Sequence, residues 1–556
     1  MRAAYALFAA LATVVLWRGL SQGWVDASVP PEAVATVRAA IPLLSLCASA
    51  LAIALRRYRS DLLSLAGLVL LLSVMGSGPV TRDAAGLFFV GAIALRFAPS
   101  VVVLIRAERP VALVFLAAFG VYAGLAAWTT ISSAAYGDQV HYLMTADRIS
   151  KGSLDATVDS AIFYPLVGAL PSVEDRATHI VDTAAGPRPV QGYAFPLLLA
   201  PGWALAGRLG AELTGAFFAA WASAQTALLL REVLPFIRWR GPVWAMTSFL
   251  PPLVTLAAFL YPNAVAAAVI VTAYRLLFTR PERKVALGAA ILAATLFLTP
   301  RDGIALVALA PFVRERRFFA SAGVVAVAAI AANAILYGVP LPYAGYLFGM
   351  STAQALIGQS TLTFQFWVGL PAMLFDRTFG VAGSAPWLFL ALLGIVPAWR
   401  GMPLLRPGLV AVGVSLAALS VYRYWEGGYA PPNRYLVDLL PLVVPVIGWG
   451  LATVGMPIAR AVAIATVGLS AIAGVVFAAA PDRALNDAFQ HRLQDVLDAV
   501  LGVNPLGWLP SFVPVTPDWW VMAYLRLIPA LALAGALVAL GWRYGPRHGP
   551  NESKAA

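Results

Sequence analysis

Apolar runs long enough to cross a bilayer recur along almost the whole chain, separated by short connectors rich in arginine, proline or glycine. A hydrocarbon core about 30 Å thick needs roughly 20 helical residues per crossing, because backbone polar groups find no water there and must bond within their own segment. The runs predict spanning helices near residues 3–20, 37–55, 61–78, 84–105, 110–133, 210–230, 243–260 and 262–278. Others fall near 285–299, 302–313, 318–336, 385–399, 408–422, 437–455, 460–479 and 521–542, about 16 in all. The expected fold is an all-α, polytopic transmembrane helical bundle with external loops and interfacial helices.

The pattern breaks most sharply at Gly137-Asp138-Gln139-Val140-His141-Tyr142, where a polar stretch begins that runs to about residue 209. Two further long connectors cover 337–384 and 480–520. Residues 194–209 resemble another crossing, but counting them would invert every later loop, so an interfacial or re-entrant helix is expected there. Residues 3–17 have the length of a signal peptide, yet no small-residue cleavage site followed by a soluble domain appears, and a retained helix is expected. No fixed-period repeat and no Gly/Ser linker divides the chain. The expected organisation is a four-helix extension at 1–109, a core at 110–479 with its first external loop at 134–209, and a terminal segment at 480–556. That segment holds an external stretch, a last helix and a polar cytoplasmic tail.

Composition agrees with the pattern: 61% of the residues are hydrophobic and 12% charged, with mean hydropathy +0.81. The net charge of +12 acquires a direction once the connectors are sorted. With the N-terminus cytoplasmic, the inner connectors carry Arg56, Arg57, Arg59, Arg106, Arg109, Arg238, Arg240, Arg280, Arg283, Lys284, Arg314, Arg316, Arg317, Arg400, Arg406 and Arg460. The outer connectors are net acidic, as the positive-inside rule requires. The basic balance thus reflects orientation in a lipid bilayer and is no argument for nucleic acid as a partner. Asp138 and the three long connectors then face away from the cytoplasm and its soluble nucleotide sugars.

Four constellations carry candidate chemistry. Asp138, His141 and Tyr142 fall at i, i+3 and i+4, so a helix beginning near Gly137 puts them on one face. A carboxylate there suits deprotonation of a hydroxyl or, with His141, part of a hard-cation site; the plainer alternative is an N-cap and an interfacial histidine. Arg301, in Leu298-Thr299-Pro300-Arg301-Asp302-Gly303, sits in a tight turn between apolar runs, where a guanidinium suits phosphate or simply pairs with Asp302. The run from Tyr422 to Tyr435 holds Arg423, Trp425, Glu426, Tyr429 and Arg434, a mixture fit for sugar stacking and phosphate binding or for an aromatic belt with snorkelling arginines. Arg377, within Phe375-Asp376-Arg377-Thr378-Phe379-Gly380, suits a substrate contact or a salt-bridged turn.

Absent patterns narrow the field. There is no GxxxxGK[ST], HExxH or GxSxG, and the four histidines stand at 141, 179, 491 and 548, which weighs against ATP-driven transport and zinc proteolysis. The single cysteine, Cys47, can build neither an internal disulfide nor a cysteine metal site.

From about residue 110 to 455 the chain resembles the GT-C superfamily of polytopic glycosyltransferases, which contains the protein O-mannosyltransferases and the lipid A aminoarabinose transferase. Gly137-Asp138-Gln139-Val140-His141-Tyr142-Leu143 is similar to the GDEPHYL pattern of bacterial members. Also similar are Phe195-Pro196-Leu197-Leu198-Leu199-Ala200-Pro201, Leu260-Tyr261-Pro262, Leu374-Phe375-Asp376-Arg377 with Phe379-Gly380, and Gly428 through Tyr435. The resemblance implies an inverting glycosyltransferase of the bacterial cytoplasmic membrane, with a polyprenyl-phosphate-linked sugar as donor and an extracytoplasmic lipid, glycan or protein as acceptor. It implies Asp138 as catalytic base. Arg301, Arg434 and Arg423 are then the candidate phosphate ligands, and His141, Tyr142, Trp425, Glu426, Tyr429 and Arg377 the candidate substrate contacts. No cofactor is required; a divalent metal is possible, but Gln139 stands where the related pattern has Glu and leaves one carboxylate fewer to hold it. Val140 stands in place of Pro.

Two other classes compete. An O-antigen ligase or polymerase would use a pyrophosphate-linked oligosaccharide, which a deletion strain would accumulate. A lipid or glycan transporter or flippase would need no covalent product; repeated halves with matching interrupted helices, common in transporters, are not visible.

Overall fold

The computed structural model describes residues 9–10, 13–14, 31–57, 60–66, 68, 82–107, 109–167, 179–184, 186–279, 284–299, 301–338, 340, 366–422, 425, 427, 430–453, 457–484, 502, 505–512 and 519–544. Helices dominate. In the first half they are α1 (Pro31–Ala54), α2 (Arg82–Arg106), α3 (Val111–Ser132), α4 (Asp138–Ser150), α5 (Ser160–Val167), α6 (Ala194–Val233), α7 (Arg240–Phe249), α8 (Leu253–Ala257) and α9 (Asn263–Tyr274). There follow α10 (Val285–Ala293), α11 (Gly303–Leu309), α12 (Arg316–Tyr337), α13 (Phe366–Phe375), α14 (Val381–Ser384), α15 (Ala391–Gly401), α16 (Arg406–Ser420), α17 (Leu440–Thr453), α18 (Pro457–Ala479) and α19 (Trp519–Tyr544).

Among the described residues eight helices are long and apolar enough to cross a membrane, and six more apolar helices are shorter. The predicted helix at 3–20 lies largely outside the described residues. Two predicted spans end early for local reasons. The run 243–260 is interrupted at Pro251-Pro252 between α7 and α8, because proline cannot donate to the helix ladder. The run 285–299 tightens into a 3₁₀ turn over Ala294–Phe297.

Burial separates a protein-facing interior from a lipid-facing rim. Tyr122, Tyr261, Tyr274, Leu229 and Trp387 are almost fully enclosed, whereas α12 turns Val324, Val327 and Ile335 outward and α19 does the same with Ile528 and Leu533. Outward apolar side chains cost nothing against acyl tails, so this distribution suits a bilayer. Two buried arginines within the bundle are paired: Arg96 of α2 meets Asp61, and the Nε of Arg275 donates to Glu232 at 2.9 Å. An intramembrane arginine without such a partner would carry a heavy desolvation cost.

Tyr274 Oη donates to the carbonyl of Leu404, and the Arg400 guanidinium lies 3.8 Å from the Trp542 ring centroid. Trp128 Nε1 donates to Ala479 O at 3.0 Å, and Arg377 N donates to Pro510 O at 2.9 Å.

The first long connector is folded rather than extended. It contains α4, α5 and an antiparallel hairpin in which β1 (Ile180–Thr183) pairs with β2 (Gly186–Pro189), Ile180 opposite Pro189. This small sheet departs from a purely helical expectation. The segment at 194–209 becomes the first arm of α6, whose helix breaks at Ala206 and Gly207. The chain doubles back tightly there: a Cβ on Gly202 would stand 2.3 Å from the carbonyl oxygen of Gly210, so only a side chain as small as hydrogen fits. Leu197 and Leu205 on this arm are exposed.

Candidate functional site

Gly137 holds φ 53° and ψ −132° as the N-cap of α4, a conformation essentially confined to glycine. The turn places Asp138 as the first helical residue. Gly137 rather than Asp138 is the N-cap, so the capping alternative does not account for the carboxylate. Instead, Asp138 Oδ2 accepts from Arg434 Nη1 at 3.0 Å and Oδ1 accepts from Gln191 Nε2 at 3.4 Å. His179 Nε2 stands 3.6 Å from Oδ1. Three residues distant in sequence thus converge on this one carboxylate.

Arg434 arrives from the 3₁₀ turn Arg434–Leu439 that precedes α17. The preceding Asn433, in the left-handed region at φ 61°, donates to Ser384 Oγ at 2.5 Å and to Gly380 O at 3.3 Å. Gly380 belongs to the turn built by Asp376, whose carboxylate accepts from the backbone N–H of Thr378, Phe379 and Phe512 at 2.7 to 2.9 Å. The Phe375–Gly380 motif therefore braces the loop that carries Arg434. The Arg434 guanidinium lies 4.9 Å from the centroids of both Tyr261 and Tyr435 and donates through Nη2 to Tyr435 Oη at 3.1 Å. Flanked by two rings and tied to a phenol and a carboxylate, it is held as a preorganised fork.

Electrostatics follow from this enclosure. Burial by itself raises the Asp138 pKa, but facing His179 and the Arg434 charge outweigh it and hold the carboxyl well below the usual carboxylate range. Its side chain is 24% exposed, so the carboxylate is reachable. His141 is pushed the other way from a typical charged histidine: burial, followed by the neighbouring His179, lowers its pKa despite the opposing pull of Asp138. The two imidazoles stack with centroids 3.7 Å apart and planes 5° from parallel. They share a cavity with Met144, Thr145, Arg148 and Thr157 beside the carboxylate.

The remaining sequence candidates separate. Tyr142 is buried edge-on to Phe195 at 5.0 Å, which places it in the apolar core. Gln139 also turns inward, 1% exposed, with Oε1 accepting from Leu260 N at 3.4 Å; a neutral amide suits that enclosed position better than a carboxylate. Trp425 packs edge-on against Phe379 at 6.0 Å. Arg377 is tied through its backbone to Pro510. Arg301 lies over the Tyr435 ring at 4.3 Å, with Nε 3.6 Å from Asp438 Oδ2 and 3.9 Å from Asp302 Oδ1. Arg423, Glu426 and Tyr429 lie outside the described residues.

Sequence reasoning missed Gln191 as a partner of Asp138, and His179 entered only as one of four histidines. No local signal marks either, since both reach Asp138 through the folded first connector. Among the described residues no three His, Cys, Asp or Glu side chains converge as a metal-ligand group. Compared with known proteins, the chain matches no family model, no curated protein and no solved structure.

Proposed function

We propose that this chain is an inverting glycosyltransferase of the bacterial cytoplasmic membrane, moving a sugar from a polyprenyl-phosphate donor to an extracytoplasmic lipid, glycan or protein acceptor. One observation carries the reading. Asp138, the proposed base, and Arg434, a proposed phosphate ligand, stand 296 positions apart in sequence and meet at 3.0 Å. A base beside a cation on a partly open surface near a bilayer is what transfer from a lipid phosphate requires.

In the resting pair each group occupies the other. A donor phosphate competes for the Arg434 fork, which suits a phosphate as well as a carboxylate, and its arrival frees Asp138. Released from Arg434, the carboxylate becomes a better proton acceptor. Asp138 then takes the proton of the acceptor hydroxyl as that oxygen bonds to C1 of the sugar and the C1–O bond to phosphate breaks. The leaving phosphate keeps the electron pair and stays against Arg434. Preorganised charge at a departing oxyanion is commonly among the largest catalytic contributions. Arg301, already facing two carboxylates, supports the phosphate role less directly.

Transfer from a synthetic polyprenyl-phosphate sugar by purified protein in lipid nanodiscs, with Asp138→Asn alongside, tests the reading. Undiminished transfer by the variant would remove Asp138 as base. Movement of the intact donor across the bilayer without any covalent product would favour a flippase instead.

A further inference from the structure

Beside the Tyr435 ring, over which Arg301 lies at 4.3 Å, a second charged cluster has the opposite polarity. Asp302, in the turn before α11, lies against Asp438 and Thr299; Asp302 is 2% exposed and Asp438 4%. Asn263, at the start of α9, donates through Nδ2 to Asp438 Oδ1 at 2.8 Å. Ser415 of α16 lines the same narrow cavity as both carboxylates. Four segments of the chain thus deliver oxygen atoms to one enclosed place.

Those oxygens are unsatisfied. Among the described residues, no well-formed hydrogen bond reaches Asp302 Oδ1 and Oδ2, Asn263 Oδ1, Thr299 Oγ1 or Ser415 Oγ, although Asp302 lies within interacting range of Asp438 and Thr299 and every one of these residues is more than nine-tenths buried. A buried acceptor without a donor costs on the order of 1–3 kcal/mol, and the Asp302 and Ser415 oxygens on this cavity, with Asn263 bonded to Asp438 and Thr299 beside Asp302, point to a bound species that supplies positive charge. The nearest cation, Arg301, does not close the gap, because its Nε stands 3.6 and 3.9 Å from the two carboxylates, beyond hydrogen-bond distance. Arg434 is the other charge that faces the cluster, and it is engaged by Asp138.

We propose that Asp302, Asp438, Ser415, Thr299 and the Asn263 carbonyl oxygen form a binding site for a single monovalent metal cation, sodium being the probe of choice. The donor set is all oxygen, which selects hard cations over the soft ones bound by thiolate and imidazole. Charge selects the valence: once the ion displaces any proton held between the two carboxyls, they and the Arg301 guanidinium leave one negative charge, which a monovalent ion neutralises and a divalent ion would overshoot. The site needs no sugar donor, so its test stands apart from the transfer reading.

The test is the thermal unfolding midpoint of the full-length purified protein as sodium replaces N-methylglucamine at fixed ionic strength. Ligand binding to the folded state alone raises the midpoint with the logarithm of ligand concentration. The wild type is expected to show that rise, to need more sodium at acid pH as protons compete for the carboxylates, and not to need calcium or magnesium. Asp302→Asn is expected to abolish the sodium response, and Ser415→Ala to shift it to concentrations on the order of tenfold higher, the scale of losing a supporting group in an ion site. Should Asp302→Asn fail to fold, the wild-type and Ser415→Ala titrations still decide. An identical midpoint in both cations, a response to pH alone, a response to divalent ions only, or an unaltered response in the variants would each overturn the proposal.

Discussion

Two charged clusters flank Tyr435 and are built in opposite ways. The Asp138–Arg434 pair is matched in charge, hydrogen-bonded at 3.0 Å and partly open, with side chains 24% and 11% exposed. The Asp302–Asp438 cluster sets two carboxyls against one guanidinium, keeps Arg301 beyond hydrogen-bond distance and buries its carboxyls at 0% and 5% side-chain exposure. An open matched pair can exchange partners with an incoming anion. An enclosed cluster with surplus acceptors can only be completed, because water cannot enter freely to solvate its charge. Both clusters touch the same ring, which places a proposed exchange point and a proposed holding point next to each other at one end of the bundle.

The sharpest way to break this contrast is through Asp138. Under the proposed function, Asp138→Asn lowers kcat for transfer by about 10²–10⁴-fold, the usual range for removal of a general base, with folding intact by thermal denaturation. If both clusters were merely structural, the two would suffer alike. Next in size is Arg301→Ala, expected to destabilise the fold by about 3–5 kcal/mol, because it strands two buried carboxylates; Arg434→Ala, at the more open pair, is expected to cost clearly less stability. Denaturant or thermal midpoints of the two variants compare them directly. Gly137→Ala, which forces a side chain into a positive-φ cap, is expected to cost about 1–3 kcal/mol and to weaken transfer by displacing Asp138, leaving the sodium response of the second cluster unaltered.

The smallest effects are on pH dependence. A carboxyl held below its usual range contributes stability fully present above about pH 4 and lost only as pH falls further. Asp138 in the resting pair therefore contributes no acid limb to kcat/KM across pH 5–8. His141 has the same sign on a different window. A histidine with a depressed folded pKa is neutral in the fold, so its contribution is present above about pH 6.5 and lost as pH falls below it. Thermal midpoints from pH 7.5 to 5 are expected to decline, and His141→Gln to flatten part of that decline. An unchanged slope in the variant would assign the decline to other groups.

Much of the bundle was legible because the membrane signal is local. Apolar runs at 110–133, 318–336 and 521–542 correspond to α3, α12 and α19 within a few residues, since a helix in lipid must satisfy its own backbone. The segment 194–209, expected to be a helix distinct from the crossing that follows it, forms the arm before the break at Gly207. What local pattern did not reveal is which of two chemistries a residue serves. Trp425 in the aromatic run packs on Phe379, and Tyr142, spaced for the Asp138 face, enters the core beside Phe195. The motif around Arg377 reads as a substrate contact or a turn, and its Asp376 is a turn anchor accepting three backbone N–H groups.

The sequence by itself determined that this is a helical protein of membrane character, because hydrophobicity and backbone satisfaction act segment by segment. It also singled out Gly137-Asp138 and the arginines of two distant turns as unusual. Only the tertiary structure decided that Arg434 rather than Arg301 holds Asp138, and that Asp302 and Asp438 share a narrow cavity. Coulombic pairing depends on distances of a few ångströms between groups separated by up to 296 positions, and no local pattern encodes such a distance.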